Sequence, residues 1–106
     1  MTLLKNLFTV VTQNDSQIIV KLSDENHPIF QAHFPNYPIL PGFLLIEIVA
    51  NVLDDTIQKV HSAKFIAHTL PNDTIIYNIK KDGLKTKIKV VKDDEKNTKI
   101  AEIIYE

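Results

Sequence analysis

Three prolines spaced three residues apart stand directly before the most apolar segment of the chain. The prolines at positions 35, 38 and 41 fix their own φ angles and favour extended backbone at the residues before them. Pro41 suits the first position of a helix, and Gly42 follows it with an amide that no side chain shields. Between positions 43 and 53 only Glu47 and Asn51 are polar, which predicts a helix without a solvent face. The pattern therefore predicts a stiff loop that leads into a helix buried on all sides.

This segment also carries the residue types that acid–base chemistry needs. An imidazole such as that of His33, with a pKa near neutrality, is suited to act as a general base. Burial would raise the pKa of the Glu47 carboxyl group and make it a proton donor. The alternative interpretations are a structural histidine that caps a loop and, for Glu47, either a core acid bonded to backbone amides or a residue on a helix face that reaches water at an interface. Glycine at position 42 could relieve crowding at the turn because it has no side chain. Its amide could also polarise a carbonyl group, and both roles can hold at once.

The spacing His-Phe-Pro-x-x-Pro-x-x-Pro-Gly, with an acid fourteen residues after the histidine, resembles the active-site signature of the bacterial 3-hydroxyacyl-acyl carrier protein dehydratases. The resemblance covers most of residues 17–106, although the chain lacks much of the N-terminal helical segment of longer members. It implies a hotdog fold, in which a curved antiparallel sheet wraps one long helix, as a single domain over residues 1–106. It also implies that His33 removes the α-proton, that Glu47 of the partner subunit protonates the departing hydroxyl, and that the Gly42 N–H holds the carbonyl oxygen.

The resemblance further implies a substrate and partners. The substrate would be a 3-hydroxyacyl thioester carried on the phosphopantetheine of acyl carrier protein, converted to a trans-2-enoyl thioester in fatty-acid or related polyketide or aryl-polyene synthesis. No metal or other cofactor is expected, and the protein would be a cytoplasmic homodimer that could extend to a higher oligomer of dimers. Phe34, Tyr37, Phe43 and Asn51 are the expected substrate-binding residues, and the last three differ from the usual family residues. A hotdog thioesterase and a catalytically silent acyl-binding subunit are the alternatives.

The rest of the chain predicts an α+β fold, with strands before and after one helix. The helix is expected from about Pro41 to Val60. Asp82-Gly83 between two β-rich runs predicts a tight hairpin. The predicted strands are residues 3–12, 17–22, 64–69, 74–81, 84–92 and 98–105, and a helical turn is the alternative for residues 3–8.

Composition limits the other functions. The net charge of −1 gives no support for nucleic-acid binding, and the absence of cysteine excludes disulfides and thiol catalysis. The longest apolar run is too short to span a bilayer. No acid or cysteine stands at metal-ligand spacing from the histidines at positions 27, 61 and 68, so surface or loop roles are expected and no metal site is predicted. The lysines at positions 85, 87 and 89 predict a solvated strand face, or a docking surface for an acidic carrier protein.

Overall fold

A computed structural model describes residues 4–32 and 36–106 of the chain. It contains six strands and two helices, which confirms the α+β prediction. The helices are α1 (Pro28–Ala32) and α2 (Gly42–Leu53). The strands are β1 (Phe8–Gln13), β2 (Gln17–Leu22), β3 (Val60–Phe65), β4 (Thr74–Asp82), β5 (Lys85–Lys92) and β6 (Lys99–Tyr105).

The strands form one antiparallel sheet in the order β1-β2-β4-β5-β6-β3. The predicted hairpin is present, because Asp82 pairs with Lys85 across a two-residue loop. Gly83 has a φ of 62° at the first loop position, where a type II′ turn requires a positive φ. Strands β1 and β3 are the two edges of the sheet, and β3 pairs only with β6 among the described residues.

Helix α2 packs one face against this sheet. Its buried residues Leu44, Leu45 and Ile48 belong to the same apolar cluster as inward-facing residues of β2, β4, β5 and β6. The hydroxyl of Tyr77 on β4 donates a hydrogen bond to the carbonyl oxygen of Leu45 at 2.9 Å. Burial raises the pKa of the Tyr77 phenol, so the group stays a donor at physiological pH. The sheet and this hydrogen bond therefore fix the rotation of α2 about its own axis.

The prediction that α2 extends to Val60 was wrong. The helix ends at Leu53, where Asp54 adopts a left-handed conformation with a φ of 57°. The Asp55 N–H then caps the helix by donating to the Ala50 carbonyl oxygen at 2.9 Å. The backbone of Lys59 forms two hydrogen bonds with Glu106, in which each residue donates to the other, and this pairing brings the segment after the helix onto β6.

Three other segments also differ from the predicted strands and helix. The predicted strand 64–69 lies earlier, as β3, because the chain joins the edge of β6 already at Val60. Residues 4–7 form a turn before β1, closed by a hydrogen bond from the Leu7 amide to the Leu4 carbonyl. Helix α1 was not predicted, although Pro28 stands at its first position, where proline is favoured.

Candidate functional site

His33 and Phe34, the predicted general base and one predicted substrate contact, lie outside the described residues. The structure does describe what precedes them. His27 accepts a hydrogen bond at Nδ1 from the Ile29 amide at 3.0 Å, and its Nε2 lies 2.8 Å from the Lys5 carbonyl oxygen. Because the first nitrogen accepts, the second carries the proton and donates to that carbonyl. The His27 side chain therefore caps the start of α1. This helix ends at Ala32, the residue directly before His33.

Glu47 lies on an exposed face of α2. Phe43, Glu47 and Asn51 are spaced four residues apart, so they form one stripe along the helix, and all three are exposed. Phe43 is 55% exposed. The prediction of a helix buried on all sides was therefore wrong for a single chain, because the sheet covers only the opposite face. The Glu47 carboxylate has no hydrogen-bond or ion-pair partner within residues 4–32 and 36–106.

Gly42 is the first residue of α2, and the N-cap before it, Pro41, has no capping side chain. The amides of a helical first turn lack partners inside the helix, and the helix dipole is positive at this end. A Cβ atom built on Gly42 would lie 2.9 Å from the nearest ring carbon of Phe65. A side chain at position 42 would therefore require the Phe65 ring to move, and the roles predicted for Gly42 stay predictions.

A surface cavity of about 350 Å³ lies at this end of α2. Its walls are mostly apolar. They come from the proline loop (residues 36–41 of the described chain), the first turn of the helix, and the end of β3 with the segment after it. The lining residues are Ile39, Leu40, Pro41, Gly42, Phe43, Leu45, Phe65, Ala67, His68 and Thr69. The predicted residues Gly42 and Phe43 thus share one cavity, while Glu47 lies one turn further along α2 on the same face as Phe43.

The sequence analysis missed three residues of this cavity. His68 was predicted to be a surface histidine and is exposed, but it also lines the cavity and meets the Tyr37 ring edge-on at 6.1 Å between centroids. Phe65 and Thr69 were not singled out at all. No motif joins these residues to the proline loop, because only the fold brings the segment after β3 beside the start of α2.

The other predicted features have simpler surroundings. His61 on β3 pairs with the Glu106 carboxylate at 2.9 Å, which is a link between neighbouring strands. The lysine side of β5 faces outward from the sheet, and Lys87 forms an ion pair with Asp82 at 3.0 Å. In the part of the chain that the structure describes, no group of three or more histidine or acidic side chains could hold a metal ion. None of the helices described there has the length and apolar character that crossing a membrane requires.

Comparisons with known structures identify the fold. The chain superposes on a chain of the dehydratase heterocomplex ApeI:P from Xenorhabdus doucetiae with a TM-score of 0.76 and 17% identity, covering 93% of this chain and 96% of that one. It also superposes on thioesterase superfamily member 2 from Mus musculus, with a TM-score of 0.63 and 14% identity over 96% and 80% of the two chains. The E. coli PaaI protein gives a TM-score of 0.61 and 12% identity over 98% and 85%. The six-stranded antiparallel sheet on one long helix is therefore a hotdog fold, as predicted.

Sequence comparisons identify the family. Residues 10–103 match the family model described as ApeI-like, ApeI dehydratase. The 3-hydroxyacyl-[acyl-carrier-protein] dehydratase FabZ of Thermotoga neapolitana is 33% identical over 90 residues, which cover 72% of this chain and 64% of that protein. The enzyme of the same name from Petrotoga mobilis is 38% identical over 66 residues, covering 51% and 48%. The chain belongs to the ApeI-like dehydratase family, and the predicted dehydratase resemblance is confirmed.

Proposed function

We propose that this protein dehydrates 3-hydroxyacyl thioesters carried on acyl carrier protein to trans-2-enoyl thioesters. Membership of the ApeI-like dehydratase family supports the reaction class. The matched region spans 64% of the length of the Thermotoga relative. The observation that carries the proposal is the placement of Glu47. Within residues 4–32 and 36–106 its carboxylate has no hydrogen-bond or ion-pair partner, and it lies on the exposed face of a mostly apolar helix, on the same side as Phe43 of the cavity at the helix start.

The chemistry needs a base, an acid and a donor to the carbonyl oxygen. His33 takes the proton from the α-carbon, and the electron pair of the broken C–H bond forms the double bond. Glu47 gives a proton to the β-hydroxyl, which leaves as water when the C–O bond breaks. The Gly42 N–H, at the positive end of α2, stabilises the negative charge that develops on the thioester oxygen. Thioester activation of the α-carbon makes a metal or redox cofactor unnecessary.

The proposed enzyme is a homodimer whose active sites each combine two chains. The sheet of one chain already buries Leu44 and Ile48 of α2 completely, so these apolar residues give no argument for a dimer. The support comes instead from Phe43 and from the β3 edge, where Phe65 and Ile66 are 45% and 48% exposed. Exposed apolar side chains grouped around one edge strand are typical of a protein interface. Pairing of the β3 edge with a second copy of the chain would cover these apolar side chains. It would also bring Glu47 near the loop of the other chain that carries His33.

Acyl carrier protein is the proposed partner of this dimer, in fatty-acid or related polyketide or aryl-polyene synthesis. The substrate arm would enter the cavity beside Gly42, with Phe34, Tyr37, Phe43 and Asn51 as proposed contacts of the acyl chain. The outward lysines of β5 offer positive charge that would attract an acidic carrier. A cytoplasmic location fits this partner.

The reaction is tested by incubating the protein with a 3-hydroxyacyl thioester of acyl carrier protein. Dehydration produces the conjugated enoyl thioester without releasing a thiol. Release of free thiol would identify a thioesterase, and neither product would identify a silent acyl-binding subunit. Substrates of different chain length in the same assay define the pathway class.

The two-chain site is tested by mixing variants. His33→Ala and Glu47→Ala proteins are each expected to be inactive, and heterodimers formed from them contain one intact site. Activity should therefore return after subunit exchange has been verified by mass. A monomer in analytical ultracentrifugation at micromolar concentration, or no recovery in the exchanged mixture, would contradict the two-chain arrangement.

A further inference from the structure

Two threonines are the buried polar residues of the described chain. Thr69 is 2% exposed and Thr86 is 3% exposed. The Thr86 hydroxyl accepts a hydrogen bond from the Lys81 ammonium group at 2.9 Å. The Thr69 hydroxyl has no hydrogen-bond partner among residues 4–32 and 36–106. Because most buried side-chain polar atoms are bonded to protein or water, the unpartnered hydroxyl needs an explanation.

Thr69 stands beside the start of α2. Its carbonyl oxygen accepts a hydrogen bond from the Leu40 amide at 2.8 Å, two residues before Gly42. This bond holds the backbone of Thr69 against the proline loop. Thr69 also lines the 350 Å³ cavity that Gly42, Phe43 and His68 line. A mostly apolar cavity therefore has a helix amino terminus in its wall, together with Thr69, whose covered hydroxyl lacks a partner among the described residues.

We propose that the Thr69 hydroxyl donates a hydrogen bond to a carbonyl oxygen of the acyl-thioester substrate in this cavity. The inference rests on the proposed dehydratase function and adds a substrate-binding residue to it. The hydroxyl is covered in the unliganded chain. Rotation about the Cα–Cβ bond moves the hydroxyl to another staggered position without moving the backbone. The substrate offers two carbonyl oxygens of this chemistry, one in the thioester and one in the adjoining pantetheine amide.

The test compares Thr69→Val with Thr86→Val. Each substitution replaces a hydroxyl by a methyl group and keeps the branched shape of the side chain. Thr69→Val should melt at the same temperature as the wild type or higher, because it removes an unpaired polar group. It should also lower kcat/KM by about 3- to 10-fold, the range expected for one hydrogen bond. Thr86→Val should melt earlier, because it removes a buried hydroxyl that accepts a hydrogen bond from Lys81, and should keep kcat/KM within about twofold. Thr69→Ser, which keeps the hydroxyl, should recover most of the kcat/KM that Thr69→Val loses.

The kinetic split identifies which carbonyl is bound. A loss in kcat with KM unchanged assigns the hydrogen bond to the thioester oxygen, where charge develops. A rise in KM with kcat unchanged assigns it to the pantetheine amide. Unchanged kinetics in Thr69→Val, or a clear fall in its melting temperature, would overturn the proposal and assign the hydroxyl to a buried water or another structural partner.

A failure of the proposed function gives a different result. If the wild type forms no enoyl product, dehydration fails for both proteins. Binding of 3-hydroxyacyl-pantetheine is then measured by calorimetry on the wild type and on Thr69→Val. Weaker binding by the variant would support the Thr69 contact, and equal or undetectable binding would overturn it.

Discussion

Replacing Glu47 by glutamine separates a catalytic carboxylate from a structural one. The substitution keeps the shape of the side chain and removes its ability to give a proton. Glu47 is exposed on α2 and lacks a partner among the described residues, so no described contact is broken. Surface changes of this kind alter the free energy of unfolding by about 0.5 kcal/mol or less. For a domain of this size that corresponds to a shift in Tm of no more than about 4 °C. If a partner chain covers Glu47, removal of a charge from the interface would raise Tm instead.

The activity should respond by a much larger factor. Loss of general acid catalysis lowers rates by about 10²- to 10⁴-fold, which corresponds to about 3–5 kcal/mol of barrier. Enoyl formation from a 3-hydroxyacyl carrier-protein thioester is followed by its absorbance, and thermal melts are recorded on the same preparations. The expected result is a nearly unchanged Tm together with a rate near the detection limit.

Glu102→Gln is the matched control. Glu102 is exposed on β6, and its carboxylate accepts a hydrogen bond from the Lys99 ammonium group at 2.7 Å. The Lys99 ammonium holds the pKa of Glu102 below its usual value. Its replacement should slightly lower stability and leave enoyl formation unchanged. A Glu47→Gln protein that melts many degrees earlier and keeps near-normal turnover would refute the catalytic assignment and make Glu47 part of the scaffold.

Three further predictions concern the core, the helix start and the response to acid. Tyr77→Phe removes the hydroxyl that binds a carbonyl of α2, so it should cost about 1 kcal/mol and lower Tm by about 4–8 °C in a thermal melt. Gly42→Ala keeps the amide but forces the Phe65 ring aside, so kcat/KM should fall. Adding Phe65→Leu to the same chain should restore part of the lost kcat/KM. No restoration would mean that the Phe65 ring is not the obstacle. Hydrogen bonds from the backbone N–H and the hydroxyl of Thr98 hold the pKa of Asp94 below its usual value of 3.8, so this stabilisation is present above pH 3.8 and is lost as the pH falls through the pKa of the folded state. The difference in Tm between wild type and Asp94→Asn should therefore shrink from pH 6 to pH 3, and a constant difference would contradict the assignment.

Local signals predicted most of the sheet. Gln17–Leu22 was predicted with its observed ends because turn residues bound it on both sides, and Asp82-Gly83 located the hairpin between β4 and β5. The end of α2 could not be predicted in this way. The apolar spacing continues through Ile57 to Val60, and a helix is the local expectation there. The Lys59–Glu106 pairing across the sheet outweighs that preference, and it joins residues far apart in the sequence.

The site was predicted only as far as its motif extends. The proline loop, Gly42 and Glu47 stand in one ungapped segment, so their association could be read from the sequence. Phe65, His68 and Thr69 stand at least 18 residues beyond Glu47 and reach the cavity through the position of β3. The burial of Glu47 was predicted wrongly for a related reason. Hydrophobicity shows that both faces of α2 can be covered, but it does not show that the sheet of the same chain covers only one.

The two faces of α2 explain why an apolar helix carries a carboxylate. The face against the sheet is filled by leucine, isoleucine and valine, and Tyr77 locks its rotation through the Leu45 carbonyl. Any charged group on that face would be buried in the core without a partner, at a cost of several kcal/mol. The opposite face carries Phe43, Glu47 and Asn51, where a carboxylate remains accessible in one chain. A second copy that covered this face would leave Glu47 accessible only to what enters between the chains. The same packing that stabilises the helix therefore restricts the acid to the single face that a substrate can reach.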